Sequence, residues 1–133
     1  MGSSVIPAMR YRDPRKMIDW LCDTFGFARK AVYDDQNGGV AHAELTLGDG
    51  MIMLGSARDD DFAKALQPAS ADRPVTQSAY VVVPDADAVY AKARANGATI
   101  VLDISDKDYG GRDFTCRDPE GHIWSIGTYD PWA

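Results

Sequence analysis

The chain states one order of elements twice. Asp13-Pro14 opens a segment in which Met17, Leu21 and Phe25 recur at helical spacing, joined by Ile18 and Cys22, and Gly26 ends it. Asp85 or Asp87 opens a second such segment, with Ala86, Val89, Tyr90 and Ala93 on one face and Asn96-Gly97 as terminator. A strand-like stretch precedes each helix, residues 5–12 and 78–84, and another follows it, residues 27–35 and 98–106. Each series then closes on a hairpin, residues 40–55 turning at Asp49-Gly50 and residues 112–127 turning at Glu120-Gly121. The cap residues stand 72 positions apart, the helix terminators 71 and the hairpin glycines 71. A spacing of 71 or 72 residues over three landmarks predicts an α+β fold of two tandem βαβββ modules. Module one covers about 5–55 and module two about 78–129, within a single domain of 133 residues. The polar, proline-bearing residues 56–77 between them, with a short helix around Asp61–Leu66, form either a solvated linker or a flap.

Composition narrows the function classes. At 45% hydrophobic and 26% charged, with no apolar run near the ~18 residues a membrane span requires, the chain reads as soluble and globular. Residues 1–7 lack a basic segment followed by a long apolar stretch, so no secretory signal is expected and the cytoplasm is the default. The net charge of −6 argues against nucleic acid, whose phosphates need a basic footprint. Cys22 and Cys116 share no CxxC spacing and are expected to be buried structural thiols. No GxSxG elbow, P-loop or GxGxxG is present, and neither thiol has a neighbouring histidine to activate it.

Two βαβββ modules with Asp118-Pro119-Glu120-Gly121-His122-Ile123-Trp124 entering the last strand resemble the vicinal oxygen chelate superfamily, the group of glyoxalases, bleomycin-resistance proteins and dioxygenases. Residues 42–56 and 109–129 look most like its glyoxalase-like, bleomycin-resistance-type branch. The resemblance implies sheets that curl around a concave cavity with helices outside, and a homodimer. It also implies four metal-ligand positions, which fall on Ile6, Leu54, Ser78 and Ser125. None of these side chains is a credible ligand for a hard or borderline dication, so no metal and no cofactor is expected.

Strand alternation then assigns the remaining faces. Ala79, Val81 and Val83 should pack on the helix, sending Tyr80 with Ser78 and Val82 to the concave side. Arg10 and Ala8 face inward on the first strand, His42, Glu44 and Thr46 on the third, and Asp113 and Thr115 opposite the buried Phe114 and Cys116. Arg10, His42, Glu44, Tyr80, Asp113, Thr115 and Ser125 are therefore the candidate ligand-binding residues. Arg10 with Glu44 or Asp113 reads as an internal ion pair or as an anchor for an anionic group. His42 and Glu44 read as an acid/base couple, as ligand contacts or as an internal pair. Trp20 and Trp124 should lie between helix and sheet, Trp132 is a candidate for subunit contact, and His122 should flank the turn.

The expected function is metal-free binding of a small molecule, antibiotics included, without nucleic-acid or membrane partners. The alternatives are a lyase or transferase using His42 and Glu44 with a metal in a nonstandard arrangement, and an assembly protein with a vestigial cavity.

Overall fold

The computed structural model describes residues 2–133, and the chain divides into two compact units, Met1–Ala69 and Ser70–Ala133. The first runs β1 (Ala8–Tyr11), α1 (Pro14–Phe25), β2 (Ala28–Asp34), β3 (Val40–Leu47) and β4 (Gly50–Ser56). The second repeats it as β5 (Ala79–Val82), α2 (Ala86–Ala95), β6 (Thr99–Asp106), β7 (Arg112–Arg117) and β8 (Ile123–Gly127). The sheets are ordered β1-β4-β3-β2 and β5-β8-β7-β6. In each, the first strand pairs parallel to the last and the other pairs are antiparallel. The fold is thus α+β, two βαβββ modules. Among the described residues, no helix is long and apolar enough to cross a membrane.

Local chemistry sets both helices. The Asp13 carboxylate accepts from the Lys16 amide, Pro14 occupies the first turn, and Gly26 at φ 89° donates back to the Cys22 carbonyl. Asp85 caps α2 through the Ala88 amide, and each such cap stabilises its helix by about 1 kcal/mol. Helix α1 buries Met17, Ile18 and Leu21 on Tyr11, Ala43, Leu45 and Leu54, and Trp20 meets Phe25 edge-on with centroids 5.1 Å apart. Helix α2 turns its small residues Ala86 and Ala93 and the Tyr90 ring inward, the ring edge-on to Phe114 at 5.2 Å. Val81, Cys116, Trp124 and Ile126 complete that core. Val81, Phe114, Cys116, Ala43 and Leu45 lie on the helix side expected from alternation.

Three sequence expectations are corrected by the ladders. Strands β1 and β5 start at Ala8 and Ala79, so Ile6 and Ser78 precede them. The first hairpin turns one residue early: Leu47 pairs with Gly50, the loop is Gly48-Asp49, and Gly48 carries the positive φ of 56°. A two-residue loop needs that conformation at its first position to match the strand twist. The second hairpin has a wider tip, closed by the Asp118 amide on the His122 carbonyl at 2.9 Å.

The unequal tips shift the repeat by one residue between neighbouring strands. Leu54 pairs with Ala43 on the buried face, whereas Met53 pairs with Glu44 on the open one. Ser125 pairs with Thr115 and Tyr80 on the open face. The counterpart of Ser125 is therefore Met53 and not Leu54, because a one-residue slip moves a side chain to the other side of a sheet.

The stretch 56–77 is tied down at both ends. In the first unit the Ala57 amide donates to the Tyr11 carbonyl at 2.9 Å, and Asp61–Lys64 forms the short helix foreseen there, of 3-10 type and capped by Asp60. In the second, Arg117 donates to the carbonyls of Ser70 and Arg73 at 3.3 and 3.1 Å.

Candidate functional site

In the second unit the sheet face away from α2 carries most of the polar candidates in two cross-strand rows. Tyr80, Ser125 and Thr115 are direct neighbours in one row, and Val82, Gly127 and Asp113 in the next. Bridge partners share a face, so these side chains converge. The Thr115 and Ser125 hydroxyls lie 2.8 Å apart, which leaves this pair one O–H still free to donate. Gly127 makes the second row a gap. A Cβ there would sit 2.5 Å from the Tyr80 hydroxyl and 2.7 Å from the Asp113 Cβ. Tyr80 therefore lies across the glycine, and its hydroxyl donates to the Tyr129 carbonyl at 2.8 Å.

Asp113 organises the rim. Its carboxylate accepts from the Tyr109 hydroxyl at 2.9 Å and faces the Lys107 ammonium at 3.3 Å. The hydrogen bond to Asp113 holds the Tyr109 phenol above its ordinary pKa, and partial burial followed by the Asp113 charge does the same for Tyr80. Both phenols stay protonated donors at neutral pH. Tyr109 and Tyr129 meet edge-to-face with centroids 5.3 Å apart. Gly111, at φ 80°, permits this: a Cβ there would lie 2.8 Å from the Tyr129 amide nitrogen.

On the open face of the first sheet His42 Nε2 and Glu44 Oε2 are 3.0 Å apart, with Lys30 at 3.9 Å from the other oxygen and the Tyr33 ring stacked over the imidazole at 6.2 Å. The internal-pair reading of His42 and Glu44 is the one the geometry displays. Arg10 differs from expectation. It is buried, 7% exposed, and pairs with Asp60, a carboxylate the sequence reading does not name, in a bidentate contact at 3.0 and 3.1 Å with Phe62 over the guanidinium. That pair holds the Asp60 carboxyl below its ordinary pKa. The physical reason is proximity through the short helix, which carries Asp60 and Phe62 over β1, where an alternation rule sees only the strand.

The second-hairpin tip is built on Asp118, 3% exposed. One carboxylate oxygen accepts from the amides of Glu120, Gly121 and His122 at 3.0, 2.9 and 3.1 Å, and the other from the Trp124 indole at 3.0 Å. His122 flanks this turn as expected, through its backbone. Lys107, Tyr109, Tyr129 and Asp60 carry no site role in the sequence reading, and Asp118 enters it only as part of the turn. Tyr109 had a usable signal, since it stands four residues before Asp113 across a glycine turn.

Metal chemistry finds no donor set here. The last-strand positions on the open faces carry Met53 and Ser125, and Tyr80 beside Ser125 donates its own proton to a carbonyl. Among the described residues no three His, Cys, Asp or Glu side chains come together in a way that could hold a metal ion.

The curated relatives include the uncharacterized protein Mb0911c of Mycobacterium bovis, 30% identical over 127 residues, covering 91% of this chain and 80% of that protein. The uncharacterized protein Rv0887c of Mycobacterium tuberculosis is also 30% identical, covering 91% and 71% respectively. Among solved structures, TioX from Micromonospora sp. ML1 superposes with a TM-score of 0.69 at 28% identity, covering 95% of this chain and 98% of that one. The fosfomycin resistance protein FosX from Mesorhizobium loti shares the fold alone, at TM-score 0.66 and 15% identity over 98% and 94% of the two chains. Residues 6–126 match the family as a whole, and the chain belongs to the Glyoxalase/Bleomycin resistance protein/Dioxygenase superfamily.

Proposed function

We propose that this protein binds a small molecule without a metal, in the manner of the bleomycin-resistance-type branch, using the open sheet faces that carry Arg10, His42, Glu44, Tyr80, Asp113, Thr115 and Ser125. The observation that supports it most is the Tyr80–Ser125–Thr115 row beside Asp113. It gathers hydroxyl, phenol and carboxylate groups on rigid strands where a metal-dependent relative would need a carboxylate ligand. A few fixed polar groups beside apolar and aromatic surface are what small-ligand sites use for orientation. The proposal extends to one domain of two modules joined by residues 56–77. It also includes a cytoplasmic homodimer in which Trp132, 96% exposed, contributes to subunit contact. A role in antibiotic resistance is the branch's implication.

A second reading, a lyase or transferase, is favoured by the His42–Glu44 couple at 3.0 Å. Elemental analysis of purified protein separates the two. Stoichiometric zinc, nickel, iron or manganese that disappears in Glu44→Ala overturns metal-free binding. Thermal-shift screening against bleomycin-type glycopeptides, aromatic antibiotics and thiol adducts then tests binding itself. A native-state ligand at about 100 times its Kd stabilises by about 2.7 kcal/mol, and no shift with any class refutes the function.

A further inference from the structure

The rim of the second unit's open face has a composition that the general reading does not use. Tyr80, Tyr109 and Tyr129 gather there, 38%, 58% and 41% exposed. Their polar ends are engaged within the unit where they face it: Tyr80 donates to the Tyr129 carbonyl and Tyr109 to Asp113. What Tyr80 and Tyr109 still offer a visitor is ring surface, and the Tyr109 and Tyr129 rings stand at 84° to each other as two walls of a corner. The electrostatics around the rings are one-sided. Asp108, Asp113 and Asp130 act on these phenols, and the Lys107 ammonium pairs with Asp113. Asp113 is held in that ion pair, and the Asp108 and Asp130 carboxylates add negative charge beside the rings.

A ring face is electron-rich and attracts cations, most strongly those too bulky and weakly hydrated to prefer water. Carboxylates just beyond the rings add long-range attraction without demanding a hydrogen bond. The hydrogen bonds to Asp113 and Tyr129 hold the Tyr109 and Tyr80 rings before any ligand arrives, so little ordering remains to oppose binding. Lys107, 3.3 Å from Asp113, shows that an ammonium is already accommodated at one edge of this corner.

We propose that Tyr80, Tyr109 and Tyr129, with Asp113 behind them, form a subsite for the quaternary or methylated ammonium group of a small organic cation. The subsite rests on the small-molecule binding reading above and names the charge of the ligand group it takes. A neutral aromatic ligand would use the same rings by stacking, but it would gain nothing from the carboxylates.

The test uses the full chain and two probes that differ in charge alone. Choline and its carbon isostere 3,3-dimethylbutan-1-ol are titrated by calorimetry, with benzyltrimethylammonium as a larger cation. Saturable binding of the cations is expected, with the isostere about tenfold weaker or more, as ring–cation attraction at a partly desolvated site requires. Tyr109→Leu and Tyr129→Leu should each weaken the cations about two- to fivefold, while Tyr109→Phe, which keeps the ring but loses its tether to Asp113, should weaken them less than Tyr109→Leu. Should a leucine variant fail to fold, Asp130→Asn, beyond the last strand, should weaken the cations about twofold while leaving the isostere unchanged.

Equal binding of isostere and cation, no saturable cation binding, or leucine variants that bind as tightly as the parent overturns the subsite. Binding of phosphatidylcholine vesicles or of trimethyl-lysine peptides without binding of the free cations also overturns it. If the cations fail while an uncharged or anionic compound raises the melting temperature, the subsite falls and the small-molecule reading stands. If no compound of any class binds, both fall.

Discussion

Replacing Asp118 with alanine should destabilise the second unit more than any other single change to its loops. The carboxylate is 3% exposed and accepts from three consecutive amides and from the buried Trp124 indole. Hydrogen bonds to a charged acceptor are worth about 1.5–3 kcal/mol each, and a buried donor left unsatisfied costs about 1–3 kcal/mol. These donors share one acceptor and are not additive, and the more exposed Glu120 amide recovers water. A loss of about 3–5 kcal/mol is expected for Asp118→Ala. Asp118→Asn keeps an oxygen for the three amides but turns an NH2 toward the indole N–H, donor against donor, so it should lose about 1–3 kcal/mol. Urea unfolding followed by circular dichroism reads the difference. At a slope of about 1.5 kcal/mol/M the alanine midpoint should fall by about 2–3 M. The Trp124 indole proton resonance should shift in both variants. A loss below about 1 kcal/mol in Asp118→Ala, with that resonance unmoved, would refute the view that one side chain organises this tip.

Gly127→Ala should displace Tyr80 and push on Asp113, since its Cβ would lie 2.5 Å from the Tyr80 hydroxyl and 2.7 Å from the Asp113 Cβ. About 1–3 kcal/mol of destabilisation is expected, and parent-like stability would show that the row tolerates filling. Asp60 has a depressed carboxyl pKa in the folded state, so its pair with Arg10 contributes above the ordinary value of 3.8 and is lost as pH falls through the lower folded value. Cleavage by pepsin around Asp61–Lys64 should therefore accelerate only below that ordinary value, and equal acceleration in Asp60→Asn would exclude the pair as its cause. Burial pushes the Cys116 thiol up to about 12, so iodoacetamide at pH 8 should leave it unlabelled in the native protein, and rapid labelling would contradict its place in the core.

The parts of this fold that the sequence made legible are those whose causes are local. Asp13-Pro14 and Gly26 bound a helix by their own backbone chemistry, and alternation along residues 79–83 and 112–117 sorted Val81 and Phe114 from Tyr80 and Thr115. Register across strands was not legible. The Gly48-Asp49 loop differs from an Asp49-Gly50 loop by one position, and that position decides whether Met53 or Leu54 faces Glu44. Partners brought by a loop were equally hidden. Arg10 waits for Asp60 fifty residues away, and Tyr80 for the carbonyl of Tyr129. Asp118 belongs to the recognisable turn motif, but its indole partner depends on Trp124 turning inward on the following strand.

The parallel pairs carry a consequence for the order of assembly. Ala8 meets Met53, and Ala79 meets Trp124, each across a separation of 45 residues, while the β3–β4 and β7–β8 ladders close over a few. Loop closure favours the hairpins first, so the amino-terminal strand of each unit is the last to zip on and the first to peel away. On a ribosome, neither unit can finish until its final strand has emerged. In the mature protein Tyr80 rides on the later-arriving strand, so amides of β5 should exchange with solvent ahead of those in β7, and a ligand gripping that ring would slow them by holding the edge shut.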